Sequence, residues 1–211
     1  MPQSRGASAS GYQAGVNAPV DTAACVRPGL LLSGLTVEAD AASLRQAGVS
    51  HVLQVGDGLS PSHPGQFQYL SLLLLDQDDA DLVSLLPACC DFIDGGIRGG
   101  GTVLVHCGVG VSRSAAVVCA YLMWSTGVGF KEARASLKAV RPKVNPNLGF
   151  ALQLQLLEGG LRSGDSLLAF ASAWAPWDSN RMLAAAWGGA ADDRTLASGA
   201  PDGRTLASGA R

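Results

Sequence analysis

The sequence predicts an α/β fold: a single domain with a central, mostly parallel sheet flanked by helices. Three observations lead there. Short apolar runs and helix-patterned segments alternate from residue 30 to residue 106. The last such run, Thr102 to His106, is apolar without alternation, as suits the middle of a parallel sheet covered on both faces. Three helix patterns then follow in succession. At 211 residues the chain can bury one full core and is marginal for two.

Residues 1–25 are rich in Gly, Ala, Ser and Gln without periodicity and read as a flexible arm. Leu30 to Ser33 is a short strand. "TVEADAASLRQAG" follows as a helix, with Thr36 as its N-cap and Gly48 just past its end. Ser50 to Val55 is a buried strand, and Gly56 to Gln66 a loop rich in Gly, Ser and Pro. Phe67 to Leu75 is a third strand running into the acidic loop "DQDDAD". A helix covers Leu82 to Arg98, with Pro87 tolerated in its first turns. After the strand Thr102 to His106, "SRSAAVVCAYLMWSTG" is a helix ended by Gly127, and "GFKEARASLKAVRP" a second, stopped by Pro142. "NPNLGFALQLQLLEGG" is a third, with Asn145 as N-cap and Pro146 at its first position.

The domain therefore spans residues 26–162, and residues 163–211 form a low-complexity tail expected to be disordered. In that tail RTLASGA recurs at a spacing of ten residues, too short and too polar to stack as a solenoid. "FASAWAPWDSNRMLAAAW" carries three of the four tryptophans, and loose packing onto the domain is expected there.

Composition narrows the function. The formal net charge is −2 and no block of Lys or Arg occurs, which disfavours nucleic acid and anionic membranes as partners. No apolar run approaches the length of a bilayer span. The N-terminus lacks a charged-then-apolar leader, and Met1-Pro2 does not fit glycine-second acylation. The five cysteines are odd in number and follow no ligand spacing, so free thiols and a cytoplasmic location, with the nucleus also open, are expected.

The chemistry concentrates in "VLVHCGVGVSRSAAV", Val103 to Val117. A strand delivers Cys107, and a helix starts near Arg113. Gly108, Val109, Gly110, Val111 and Ser112 must turn tightly between them. Successive N–H groups in such a nest bind an oxyanion, reinforced by the positive end of the helix. Arg113 adds a planar fork that grips two oxygens of a phosphate. The same field favours the Cys107 thiolate, whose pKa can fall to about 7 or well below in such surroundings. A lone cysteine is more often a buried structural thiol, but an arginine at the sixth place within strand-loop-helix points to chemistry. The three histidines, His51, His63 and His106, are not spaced as ligands with the cysteines, so no metal and no cofactor is expected.

"HCGVGVSRS" resembles the His-Cys-five residues-Arg-Ser signature of the cysteine-dependent protein tyrosine phosphatases, and most of all the small atypical dual-specificity phosphatases. "AYLM" at Ala120 to Met123, "RPKVNPNLGFALQL" and "GVSHVLQV" are similar to further segments of that family, with Gln54 where Asn is usual. The resemblance covers roughly residues 27–161. It implies a protein tyrosine phosphatase-like fold of dual-specificity type, with Cys107 as nucleophile and Arg113 as phosphate clamp. It also implies that Ser114 assists departure of the thiolate and that the general acid directly follows a strand. Among Asp76, Asp78, Asp79 and Asp81 that selects Asp76, and a strand's carboxyl end reaches the same rim as Cys107. The other three read as a solvated loop, with Asp81 capping the next helix. Ser112 shapes the loop, His106 orients the cysteine backbone, and Asn147 supports the site. Cys119 reads as core, and Cys89-Cys90 as one buried and one half-exposed thiol without a redox spacing to Cys107.

Substrate class is a matter of resemblance and charge. Relatives acting on inositol lipids carry lysines inside the loop, where this chain has Val109 and Val111, so a phosphorylated protein is the expected partner. A short chain implies a shallow pocket that admits phosphotyrosine, phosphoserine and phosphothreonine. A mitogen-activated protein kinase is a common target in the wider family, although no basic docking cluster is visible, and a monomer is expected. Two other readings stand beside the enzyme: a phosphate-binding pseudophosphatase acting as an interaction module, and another Cys-x5-Arg protein such as a rhodanese-like sulfurtransferase or an arsenate reductase.

Overall fold

The computed structural model describes residues 21–174. The arm before residue 21, the decapeptide repeat, Trp177 and Trp187 lie outside the described residues. The sheet has five strands: β1 (Ala24–Arg27), β2 (Leu30–Gly34), β3 (Val49–Val55), β4 (Gln68–Leu72) and β5 (Thr102–Cys107). Their order is β1-β2-β5-β3-β4, with β5 central. Only β1 runs antiparallel; β2, β5, β3 and β4 are parallel. The α/β architecture therefore matches expectation, and β5, buried from Val103 onward, holds the central place that its unbroken apolar run implies.

The helices are α1 (Leu35–Glu38), α2 (Ala41–Gln46), α3 (Leu86–Arg98), α4 (Arg113–Thr126), α5 (Phe130–Val140), α6 (Leu148–Arg162) and α7 (Leu167–Ala173). A 3₁₀ turn, Val83–Leu85, leads into α3, whose first turn holds Pro87. Every residue of α4 from Ser114 to Met123 is buried, so this helix is the axis of the core rather than an amphipathic cover. Gly127, at φ 74°, ends it in the left-handed conformation.

Several boundaries differ from the sequence reading, each for a local reason. The arm was expected to reach residue 25, but β1 starts at Ala24, on the edge of the sheet. The Pro28-Gly29 turn joins it to β2, with Gly29 at φ 81° supplying the positive φ that a side chain would resist. The single helix expected from Thr36 is two. Asp40 accepts hydrogen bonds from the N–H groups of Ala42 and Ser43 and caps a new helix instead of continuing the old one. The strand expected to reach Leu75 stops at Leu72, because β3 ends at Val55, opposite Leu72, and Leu73 projects into solvent at 72% exposure. The third late helix is capped by Asn147, not Asn145. Pro146 disfavours helical backbone at the residue before it, and the Asn145 N–H donates to Val111 O at 2.8 Å. Asn147 Oδ1 then accepts from Phe150 N at 2.8 Å. Past residue 162, where a structureless tail was expected, α7 packs on the core through buried Leu167, and Ser166 caps it.

Candidate active site

Parallel strands present their carboxyl ends at one edge of the sheet, and β2 and β3 flank β5 there. Gly34 of β2 lies opposite Cys107 of β5. From Cys107 the chain turns through residues 108–112 and enters α4 at Arg113. Four successive carbonyls of this turn are held by donors behind it. Leu35 N donates to Gly108 O at 3.1 Å, and Asn145 N to Val111 O at 2.8 Å. Arg141 supplies the other two, through NH2 to Val109 O at 3.2 Å and Nε to Gly110 O at 2.8 Å. Gly110, at φ 70°, allows the turn, and a Cβ there would meet Ser33 O at 2.4 Å.

With the carbonyls tied back, the amide face and the start of α4 serve the sulfur. Gly110 N and Ser114 Oγ each donate to Cys107 Sγ at 3.2 Å. Burial alone would push this thiol up. The Ser114 hydroxyl and N–H, the Gly110 N–H and the Arg113 guanidinium outweigh it and hold the thiol below its ordinary range. Ser112 occupies the N-cap of α4 without accepting from it, and the Ser114 N–H in the first turn of the helix serves the Cys107 sulfur instead. That arrangement can hold a tetrahedral oxyanion against the thiolate.

The Ser112 hydroxyl is used elsewhere: it donates to Asp76 Oδ1 at 2.6 Å while accepting from Asn147 N at 3.1 Å. Asn147 Nδ2 donates to the same Asp76 oxygen at 2.9 Å. Asp76 Oδ2 stands 3.8 Å from Arg113 Nε. Cys107, Arg113, Ser112, Ser114, Asp76 and Asn147 are thus gathered on one rim. Arg113 NH1 also donates to Asp57 Oδ1 at 3.0 Å, a partner in the loop after β3 that the sequence did not single out.

The acidic loop is stapled to α6. Gly149 N donates to Asp78 Oδ1 at 3.2 Å, and a Cβ on Gly149 would lie 1.9 Å from Asp78 O. The buried Gln153 accepts from Leu82 N at 2.9 Å and Val83 N at 3.3 Å, and donates to Ala80 O at 2.8 Å. Asp81 accepts from Ser84 N at 3.1 Å and so caps the turn into α3, as its position suggested. These contacts give the "PNLGFALQ" segment its physical purpose: it fixes the loop that carries Asp76.

Behind Cys107, His106 is fully buried and its Nε2 stands 2.9 Å from Glu38 Oε2. Glu38 also accepts from Gln54 Nε2 at 2.8 Å and Ser62 N at 2.9 Å. Burial would raise its carboxyl, but His106, Ser62, Tyr69 and Gln54 together hold it at about 2. Glu38 was not singled out in the sequence, where it stands among polar residues of a helical stretch, and the structure buries it in α1 against His106.

The remaining thiols differ in kind. Cys89 and Cys90 are both buried, against the expectation of one half-exposed, because α3 packs on the sheet, α4 and α7 at once. Burial pushes Cys89 and Cys119 up to about 12, and Cys90 well above the ordinary range. A thiol in that state is a poor nucleophile. Among the described residues no cluster of three or more His, Cys, Asp or Glu side chains is arranged to hold a metal ion. No described helix is long and apolar enough to cross a membrane.

A buried thiol held below its ordinary range at a helix N-terminus shares one rim with a guanidinium and a carboxylate, the groups that a cysteine-dependent phosphatase requires. The chain belongs to the family described as "Dual specificity phosphatase, catalytic domain", which matches residues 32–159. It is 39% identical over 145 residues to dual specificity protein phosphatase 1 of Arabidopsis thaliana, covering 69% of this chain and 73% of that protein. The crystal structure of human DUSP28 superposes with a TM-score of 0.65 at 34% identity, covering 69% of this chain and 99% of that one. That of the human tyrosine phosphatase-like serine/threonine/tyrosine-interacting protein gives 0.64 at 32% identity, covering 66% and 97%. The chain is an atypical dual-specificity phosphatase of the cysteine-based superfamily, a protein tyrosine/serine/threonine phosphatase.

Proposed function

We propose that this phosphatase works through a phosphocysteine on Cys107. The thiolate attacks phosphorus while the α4 N-terminus, the loop amides and the Arg113 fork hold the three non-bridging oxygens. The bond from phosphorus to the leaving oxygen breaks, and Asp76 gives that oxygen its proton. Water then attacks the phosphocysteine, Asp76 takes a proton from it, and the S–P bond breaks with Ser114 Oγ donating to the departing thiolate. His106 and Asn147 hold Cys107 and Asp76 in place. The observation that carries this reading is the pair of donors on Cys107 Sγ, Gly110 N and Ser114 Oγ at 3.2 Å each, with Arg113 beside them.

The proposed substrates are phosphotyrosine and phosphoserine or phosphothreonine in proteins, a mitogen-activated protein kinase among the candidates. The proposed setting is a monomer in the cytoplasm, with the nucleus also open. The neutral interior of the loop, with Val109 61% exposed at the mouth and no lysine between Cys107 and Arg113, supports a protein over a polyphosphorylated lipid.

The likeness to a protein named as phosphatase-like and interacting keeps a second reading in view, a binding module without turnover. Phosphate release from an aryl phosphate and from phosphopeptides, with Cys107→Ser as control, tests both. Turnover lost in the variant, with label trapped on Cys107 on acid quench, supports the enzyme. Phosphopeptide binding without turnover in the native chain supports the module, and turnover only with thiosulfate supports a sulfurtransferase. Capture of phosphoproteins by Cys107→Ser identifies the substrate.

A further inference from the structure

Arg141 lies outside the catalytic loop, at the end of α5, and is 5% exposed. Among the described residues it is the one side chain that holds carbonyls of residues 108–111, taking two of the four, while Leu35 and Asn145 use backbone N–H. The rest of its fork faces the start of the described chain. NH1 donates to Thr22 O at 2.9 Å, and NH2 meets both oxygens of Asp21 at 3.0 Å. Asp21 Oδ2 also accepts from Gly34 N at 2.7 Å, beside the strand end that faces Cys107. Asp21 precedes residues 32–159, which match the family.

We propose that Arg141 and Asp21 are a positioning pair for the phosphate loop, acting on the oxyanion and on Cys107 through the peptide units they orient. The inference deepens the phosphatase reading and rests on it for the identity of the anion. A peptide unit is a dipole of about 3.5 D, so each carbonyl held outward leaves its N–H end inward. If the Val109 or Gly110 unit turned over, a partial negative charge would face the thiolate and the phosphate instead. A lysine could not reproduce the hold, because a planar fork is needed to meet three carbonyls and a carboxylate at once. Asp21 keeps the buried guanidinium paired, and its own carboxyl is lowered: burial opposes, but Arg141, Lys143 and the Gly34 N–H prevail. Lys143 Nζ adds a 3.0 Å contact from the surface side.

The test follows Cys107 itself in the full chain. Its alkylation by iodoacetamide, read by peptide mass spectrometry as a function of pH, gives the thiolate titration without requiring turnover. Vanadate inhibition of aryl phosphate hydrolysis gives oxyanion affinity. Arg141→Lys and Asp21→Asn are each expected to move the Cys107 midpoint upward by about half a pH unit or more. Both are also expected to weaken vanadate about fivefold or more. Glu158→Gln, which breaks a pair with Arg162 that touches no residue of the loop, is the control for mere destabilisation. If Arg141→Lys does not fold, Asp21→Asn decides. The proposal is overturned if these variants titrate Cys107 and bind vanadate as the native chain does while only their Tm falls. A native chain that neither turns over aryl phosphate nor binds vanadate would sink the phosphatase reading, and the Cys107 titration would still decide the clamp.

Discussion

Ser112 Oγ donates to Asp76 Oδ1 at 2.6 Å, linking the phosphate loop to the loop that carries the proposed acid. A serine at a helix N-cap ordinarily spends its oxygen on the helix. Here it accepts from Asn147 N instead, at 3.1 Å, and orders three segments around one carboxylate. Ser112→Ala is expected to slow kcat about three- to tenfold on substrates with poor leaving groups, the effect of one lost hydrogen bond, with little change for an activated aryl phosphate. Steady-state kinetics across a leaving-group series measures it.

Asp76→Asn should show the same selectivity in stronger form, with a loss of about 10²-fold or more for an alkyl or phenyl phosphate. Asp79→Asn should show none. The reverse pattern across the same series would transfer the acid role to Asp79.

Cys107 is held below the ordinary thiol range, so the acid limb of kcat/KM should lie at lower pH than that of an unperturbed thiol. Ser114→Ala removes one donor to the thiolate. The acid limb of the profile should then move to higher pH, and alkylation of Cys107 at neutral pH should slow.

Glu38, held at about 2 against an ordinary 4.5, makes a contribution to stability with a defined sign. That contribution is complete above about 4.5 and is lost as pH falls through about 2, because the unfolded chain takes up the proton first. Glu38→Gln should therefore be less stable than the native chain near neutral pH by about 1–3 kcal/mol, the cost of removing the charged acceptor of the Gln54 and Ser62 hydrogen bonds. The gap should narrow as the pH drops through that window. Denaturant melts at several pH values read it directly.

Gly149→Ala places a Cβ 1.9 Å from the Asp78 carbonyl, so the acidic loop must lift from α6. A loss of about 1–3 kcal/mol is expected from such overpacking, together with a drop in kcat on poor leaving groups. A fall in Tm with unchanged leaving-group dependence would show that the loop position does not govern Asp76.

The sequence by itself determined what depends on local chain chemistry. An unbroken apolar run before Cys107 and glycines in the turn lead to a central strand, a nest and a helix start, because hydrophobic period and backbone freedom are properties of consecutive residues. Cys107, Arg113, Ser114 and Asp76 could be named on that basis together with the family likeness. Only the tertiary structure decided the partners brought in from afar. Glu38 against His106, Arg141 and Asp21 behind residues 108–111, Asp57 on Arg113 and Gln153 under the acidic loop pair residues that the chain separates by up to 120 positions. No local pattern marks them, because a buried polar side chain is placed by the acceptor or donor it must satisfy, and that group is known only once the strands and helices have packed.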